Sequence, residues 1–538
     1  MMADRDRASR RKALIEYMLR PDTYPHGPEH VHHIQTHISD VFIVSPYVYK
    51  IKKPVNLGFA DFSTLEKRYR FCLREVELNR RLSDVYLGVV PICERNGTFE
   101  LDGSGDTIEY AVHMRELEEG YFLNDYLRRG ALGREIIKTV ADKLASFYAS
   151  QSPPPRAAAC GRSAVRGFIY DNFRATRRFI GHTLSRAAYE AIVLYNDLYF
   201  EHHGQLFDDR VRRGRVLDCH GDLRLEHIHV RDGRIQIFDC VEFNDSFRFI
   251  DVANDVAFLA MDLDYNGRPD LGRFLVERMS EALEDDEMEE LVDLYKCYRA
   301  YVRGKVESIK STQPEVPPAE REASACAARR HFRLSLRYAL FGSSPTAVLV
   351  GGMIGSGKST LAARLSEELG FTVLSSDVVR KELAGTAPTK KASAPYGRGL
   401  YTPEMTRLTY DTLAERGERL LKEAGSVVID ATFSRRELRR GVIERLRRAG
   451  AQVVFIETHA PREAILQRLR EREHRDDIVT DARPNILDEF AADYEPPAEG
   501  EADRLVGVDT TGRSPYSTLE VALEALVRSR FAAHECQG

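Results

Sequence analysis

The stretch Gly352-Met-Ile-Gly-Ser-Gly-Lys358-Ser359-Thr360 decides how the second half of this 538-residue chain is read. It has the form G-x-x-x-x-G-K-S. Glycines at 352, 355 and 357 let consecutive backbone N–H groups turn inward around phosphate oxygens, with Ser356 and Thr360 completing the cradle. Lys358 is expected to reach the β- and γ-phosphates, and the Ser359 hydroxyl to ligate Mg²⁺. The flanks fit. Thr346-Ala-Val-Leu-Val350 is a short apolar run suited to a buried parallel strand. Thr360 to Leu369 has helical spacing and stops at Gly370. Strand, loop and helix in this order predict a nucleotide site, but not the fate of the nucleotide.

Downstream, three more apolar runs end in acids. Phe371-Thr-Val-Leu-Ser-Ser-Asp377 is followed by Arg380. Ser426-Val-Val-Ile-Asp430 and Ala451-Gln-Val-Val-Phe-Ile-Glu457 follow. Helical segments separate them, and one carries Arg462, Arg468, Arg470, Arg472 and Arg475. The alternation predicts an α/β doubly wound parallel sheet, with chemistry at the carboxyl ends of its strands. Asp377 and Asp430 sit at such ends.

Upstream the pattern changes. Asp40–Val44 and Tyr47–Lys52 alternate as two antiparallel strands joined at Ser45-Pro46, with Lys50 and Lys52 on one face. Thr64 to Leu82 is a predicted helix carrying Glu75. Gly88–Ile92 and Ile108–Met114 read as further strands, so the first ~115 residues form a small sheet with a helix. Helices are predicted over 123–148, 173–203 and 325–340. Val216 to Phe243 reads as short strands around a polar loop, His220-Gly-Asp222 to His227, with Asp239 beyond. Asp251-Val-Ala-Asn-Asp255 to Ala260 opens another helix. The acidic run from Glu281 to Glu290 reads as a solvated helix face. His30, His33 and His37 would share a face if helical. With no Cys or carboxylate to complete a metal site, that segment is read as a lead-in to a strand.

Composition bounds the rest. The length calls for more than one core. Hydrophobic residues at 43% and charged residues at 30% are those of a globular protein. A net charge of −5 leaves no basic footprint for nucleic acid or an anionic membrane, so neither is expected as a partner. Without an apolar span or a secretory leader, a cytoplasmic location is the expectation. The eight cysteines form no C-x-x-C pair, so no disulfide framework or thiolate zinc site is expected.

The upstream motif resembles the aminoglycoside phosphotransferase branch of the protein-kinase-like fold, over residues 35–335. That family carries H-G-D-x-x-x-x-N and an aspartate some 15–20 residues later. His220-Gly221-Asp222 matches, and Asp239 falls at the expected distance. The resemblance implies an α+β bilobal domain in which Asp222 accepts the substrate hydroxyl proton and Asp239 holds Mg²⁺. It also implies that Lys50 binds phosphate with Glu75 as its partner, Lys52 being the rival lysine, and that Met114-Arg-Glu-Leu117 is the interlobe hinge. The family's Asn is His227 here. An imidazole in that metal position admits Mn²⁺ as well as Mg²⁺.

The last ~195 residues resemble the small P-loop kinases that include polynucleotide kinase, chloramphenicol phosphotransferase, zeta toxins and gluconate kinase. That resemblance implies that Asp377, with Arg380, binds and deprotonates the acceptor hydroxyl. Asp430 is then a metal-side carboxylate, and Arg468 and Arg472 are lid arginines embracing the transferring phosphate. The order of the two halves resembles bacterial fusions of these kinase folds. The reading is an ATP-dependent phosphotransferase: a kinase-like domain (1–340), a linker (341–345) and a P-loop domain (346–538). Its cofactors are ATP and Mg²⁺, and its acceptor is a small hydroxylated molecule. An aminoglycoside pocket would be acidic, and Glu281 to Glu290 is the candidate lining. The alternative is a regulatory, nucleotide-binding first domain with catalysis in the P-loop domain alone. A P-loop motor fits less well, because Ala431 follows Asp430 where motors carry Glu.

Overall fold

The computed structural model describes residues 2–58, 60–387, 399–473, 483–512 and 514–535. The chain forms two compact units. One comprises Met1–Ala164 and Leu206–Val292, the other Val165–Gln205 and Asp293–Gly538.

The first unit begins with an antiparallel sheet of β1 (His32–Gln35), β2 (Ser39–Val44), β3 (Tyr47–Lys52), β4 (Tyr86–Arg95), β5 (Thr98–Leu101) and β6 (Asp106–Arg115), in the order β1-β2-β3-β6-β4-β5. Successive side chains of β3 face opposite sides of the sheet. Tyr49 and Ile51 enter the core that includes Leu14 and Met18 of the N-terminal helix, Met2–Met18. Lys50 and Lys52 face the other side, towards the helix Leu65–Asn79. Thr64 caps that helix by accepting from Lys67 N–H at 3.2 Å. Cys72, Glu75, Val76 and Asn79 share its buried face at spacings of three and four residues. A buried glutamate on such a face is tolerable only when paired, and Glu75 meets both lysines. The histidine-rich segment becomes the edge strand β1, paired with β2, instead of a helix face.

The remainder of this unit is largely helical and carries short strands: β7 (Val216–Asp218), β8 (Ile228–Arg231), β9 (Arg234–Ile237) and β10 (Phe249–Asp251). β10 pairs with β7, and β8 with β9, both antiparallel. The helix expected over 123–148 is two, Leu123–Arg128 and Arg134–Ala149. The acidic run is not one continuous helix face. The helix Pro269–Leu283 ends at Glu284, which adopts φ +50°, and the next helix starts at Met288. Asp285 in that joint is buried and ion-paired with Arg210. The unit is α+β, an antiparallel sheet with its helix followed by a largely helical part.

In the second unit the expected helix over 173–203 is interrupted. Arg162–Thr176 passes into a short 3-10 turn, and the chain becomes helical again at Arg186. The five-stranded sheet is parallel. β11 (Thr346–Gly352), β12 (Thr372–Ser375), β13 (Ser426–Asp430), β14 (Gln452–His459) and β15 (Arg504–Asp509) lie in the order β12-β13-β11-β14-β15. Every residue of β11 and of β13 is buried, as expected of central strands covered on both faces. β11 carries the P-loop and lies at the centre, where the strand order reverses. Crevices form at the carboxyl ends of strands at that point. Among the described residues, no helix is long and apolar enough to cross a membrane.

Candidate active sites

The first site lies where β3, the helix Leu65–Asn79 and the loops after β7 and β9 meet. Lys50 Nζ is 2.9 Å from Glu75 Oε1 and 2.6 Å from Asp239 Oδ1. Lys52, on the same face, is fully buried between Glu75, at 2.6 Å, and Glu242. Of the two candidate lysines, Lys50 is therefore the one joined to Asp239. Burial alone would raise the Asp239 carboxyl, but the Lys50 ammonium holds it well below the usual carboxylate range. Burial would likewise lower Lys50, and Asp239 and Glu75 raise it well above an ordinary lysine. Asp239 sits at φ +62° and donates its N–H to the Tyr86 hydroxyl at 3.2 Å. Aspartate tolerates left-handed backbone better than most residues.

The loop carrying Asp222 is built from underneath. Asp255 Oδ2 accepts from His220 N–H at 2.8 Å and from the Tyr148 hydroxyl at 2.8 Å, and Oδ1 accepts from Gly221 N–H at 2.9 Å. Gly221 adopts φ +85°, and a Cβ there would lie 2.7 Å from the Phe247 carbonyl oxygen. Asp262 accepts from Leu225 N–H at 2.9 Å. The sequence marked Asp255 only as part of a helix start and passed over Asp262. Their backbone partners lie 34 to 37 residues away and Tyr148 lies 107 away, so no local spacing announces them.

Asp222 is bracketed by Arg224, whose Nε reaches Oδ1 at 3.1 Å and whose Nη2 reaches Oδ2 at 3.0 Å. His227 Nδ1 lies 2.8 Å from the Asp222 carbonyl oxygen. A carbonyl only accepts, so Nδ1 carries a hydrogen, and Arg224 Nη2 only donates, so Nε2 faces it as the acceptor. Nε2 lies 3.3 Å from Arg224 Nη2 and 3.6 Å from Asp239 Oδ2. The structure thus brings Lys50, Glu75, Asp222, His227 and Asp239 together. It adds Arg224, Tyr86 and Asp255, which sequence reasoning missed. Arg224 was visible within the quoted motif, two positions after Asp222.

The second site lies at the carboxyl end of β11. Gly352, Gly355 and Gly357 adopt φ of +136°, +73° and +94°. A Cβ on Gly352 would lie 2.6 Å from the Thr458 carbonyl oxygen. Lys358 and Ser359 open the helix Lys358–Leu369, and Ser359 and Thr360 are exposed. Ser356 points away from the cradle. Thr458 Oγ1 donates to the Gly351 carbonyl at 3.0 Å, so Ser356 Oγ donates to Thr458 Oγ1 at 2.6 Å. Thr510 Oγ1 donates to the Ser356 carbonyl at 2.8 Å. Thr458 and Thr510, both unforeseen, brace the loop from β14 and from the end of β15.

Asp430 ends β13 in register with Val350 on one side and Ser375 on the other, two residues before Asp377. Asp377 lies in the first turn of the helix Ser376–Leu383, half-buried, with no side-chain hydrogen bond or ion pair among the described residues. Arg380 is not brought to it. Its Nη1 donates to the Leu400 carbonyl and the Thr406 hydroxyl, at 3.2 and 3.1 Å, and its guanidinium covers the Tyr401 ring. Tyr410 ties the helix Pro403–Ala424 to the loop after β13 by accepting from Phe433 N–H at 2.9 Å. Arg468 is half-buried against the P-loop, donating to Thr510 Oγ1 at 2.9 Å and to the Thr510 carbonyl at 2.6 Å. Arg472 belongs to the helix Arg462–Glu473, but its side chain lies outside the described part.

A Mycobacterium tuberculosis protein, the uncharacterized protein Rv2004c, is 31% identical over 407 residues, covering 75% of this chain and 79% of the relative. This chain belongs to the same family. The uncharacterized protein Mb2027c of Mycobacterium bovis matches to the same extent. Residues 348–497 match the AAA domain family, a span that includes the P-loop, Asp377 and Asp430. Among solved structures, the chain is similar to a gluconokinase from Sinorhizobium meliloti 1021, at 20% identity and a TM-score of 0.26, covering 36% of this chain and 98% of that one. It is also similar to the amicoumacin kinase hAmiN, at 11% identity and a TM-score of 0.38, covering 60% and 92%.

Proposed function

We propose that the chain is an ATP-dependent phosphotransferase with two catalytic domains, residues 1–340 and 346–538, each passing the γ-phosphate of ATP to a hydroxyl of a small molecule. The observation that carries this reading is the first site, where Lys50 joins Glu75 to Asp239 while Asp222 stands on a separate, braced loop. Lys50 would neutralise nucleotide phosphates. Asp222 would orient the acceptor hydroxyl and take its proton. Asp239 has Oδ1 bonded to Lys50 and a half-exposed carboxylate, and a hard-oxygen donor of this kind fits Mg²⁺, which fills its shell with phosphate oxygens and water. When bound, the ion would offset the charge of the phosphates. In the second site Lys358 and the loop amides would cradle the phosphates, and Ser359 and Asp430 would hold Mg²⁺. Asp377 would be the base, with Arg468 securing the loop. Positioning and charge neutralisation carry such transfers.

The test is ATP consumption by the full-length protein across a panel of hydroxylated metabolites, repeated with Lys50→Met and Lys358→Ala. Each variant should lose a different subset of acceptors. Loss of all turnover in Lys358→Ala alone, with Lys50→Met unaffected, would assign catalysis to the P-loop domain. That second reading, a nucleotide-binding regulatory first domain, is favoured by one observation. Arg224 holds both oxygens of Asp222.

A further inference from the structure

We infer that the guanidinium of Arg224 occupies the place a second divalent ion would take beside Asp222, Glu226 and His227, so that the first site binds nucleotide with one divalent ion, at Asp239. This rests on the proposed reading of that site as a nucleotide site. Asp222, Glu226 and His227 present oxygen and nitrogen donors within six residues of chain, next to Asp239. The two carboxylates favour a positive charge beside them, and one is already there. Arg224 bonds both oxygens of Asp222, pairs through Nη1 with Glu226 Oε1, and lies 3.3 Å from His227 Nε2.

The imidazole settles the competition. Its Nδ1 hydrogen is committed to the Asp222 carbonyl, so a metal could use only the Nε2 lone pair, and that lone pair faces Arg224 Nη2. A second dication would have to displace the guanidinium or sit against it. The Arg224 charge is permanent and does not dissociate as a metal does. The donors do not fit a second metal while Arg224 stands among them. Among the described residues no group of three or more His, Cys, Asp or Glu side chains is gathered to hold an ion. The Asp239 carboxylate, with only Oδ1 bonded to Lys50, remains for an ion completed by phosphate and water.

The test counts Mn²⁺ and nucleotide bound to the full-length chain at saturating non-hydrolysable ATP analogue, reading free Mn²⁺ by electron paramagnetic resonance. The P-loop site takes one of each, so wild type should bind two nucleotides and two Mn²⁺. Arg224→Met should bind two nucleotides and three Mn²⁺, and Arg224→Lys should return the count to two. Three Mn²⁺ with two nucleotides in wild type would overturn the inference, as would two Mn²⁺ in an Arg224→Met variant that still binds two nucleotides. If Arg224→Met loses nucleotide, the wild-type count alone decides between two and three. A single nucleotide per wild-type chain would instead overturn the reading of the first site itself, and the inference with it.

Discussion

Lys50 and Asp239 are separated by 189 residues of chain and meet at 2.6 Å, while Lys52, two residues along the same strand face, pairs with Glu242 instead. The two lysines should therefore fail differently. Lys52→Met leaves Glu75 and Glu242 buried without their shared cation. Breaking a buried pair in this way costs about 3–5 kcal/mol. Lys50→Met removes the cation at the phosphate end and should weaken nucleotide binding at the first site roughly 10- to 100-fold, the worth of a charged hydrogen bond, with a smaller loss of stability. Denaturant unfolding and nucleotide titration of both variants check this. Equal stability loss with unchanged affinity would assign Lys50 a structural role.

The P-loop braces should matter as much as the loop. Thr458 both supports Gly351 and receives Ser356. Thr458→Val takes the partner from the buried Ser356 hydroxyl, at about 1–3 kcal/mol. Nucleotide affinity at the second site should fall with it. Differential unfolding with and without ATP analogue measures both effects, and unchanged ligand stabilisation would separate Thr458 from the site.

Asp377 should be needed for transfer and not for ATP binding. Its carboxylate has no side-chain partner among the described residues, which suits a group awaiting the acceptor. Asp377→Asn should lower turnover at the second site ~10²–10⁴-fold, the usual cost of a positioned base. Weaker ATP binding with normal saturated turnover would reverse that assignment.

Much of the second site was legible because its chemistry is local. The nine residues of the P-loop announce themselves by spacing, and Asp377 and Asp430 stand at the ends of readable apolar runs. The first site was legible in its motif, but not in what holds the motif. Asp255 reads as a helix-start residue until the fold places it under His220 and Gly221. Arg210 and Asp285 are 75 residues apart, so a buried ion pair was taken for part of a solvated face. β15 and the edge strands β1 and β5 are short and partly polar, and pairing with a neighbouring strand makes them strands. Arg380 was legible from its place after Asp377, but its contacts with Leu400, Tyr401 and Thr406, 20 to 26 residues on, were not.

Acid should destabilise the first unit before it touches the carboxylates. Burial pushes His113, His220 and His229 below the ordinary value of 6.5. The unfolded chain then binds protons near pH 6.5 that the folded chain refuses. Stability is therefore fully present above about pH 6.5 and falls as pH drops towards the lower folded values. Thermal unfolding between pH 7.5 and 5.5 should show a falling midpoint, with a shallower slope in His229→Gln. A midpoint that is flat or rises on acidification would contradict this.

The most direct test of the account is the number of ATP analogue molecules bound per full-length chain at equilibrium with Mg²⁺. At a concentration that just saturates wild type, two independent sites predict two equivalents in wild type, close to one in Lys50→Met, close to one in Lys358→Ala and close to none in the double variant. One equivalent in wild type, abolished by Lys358→Ala and untouched by Lys50→Met, would contradict the claim that the chain carries two nucleotide-dependent sites.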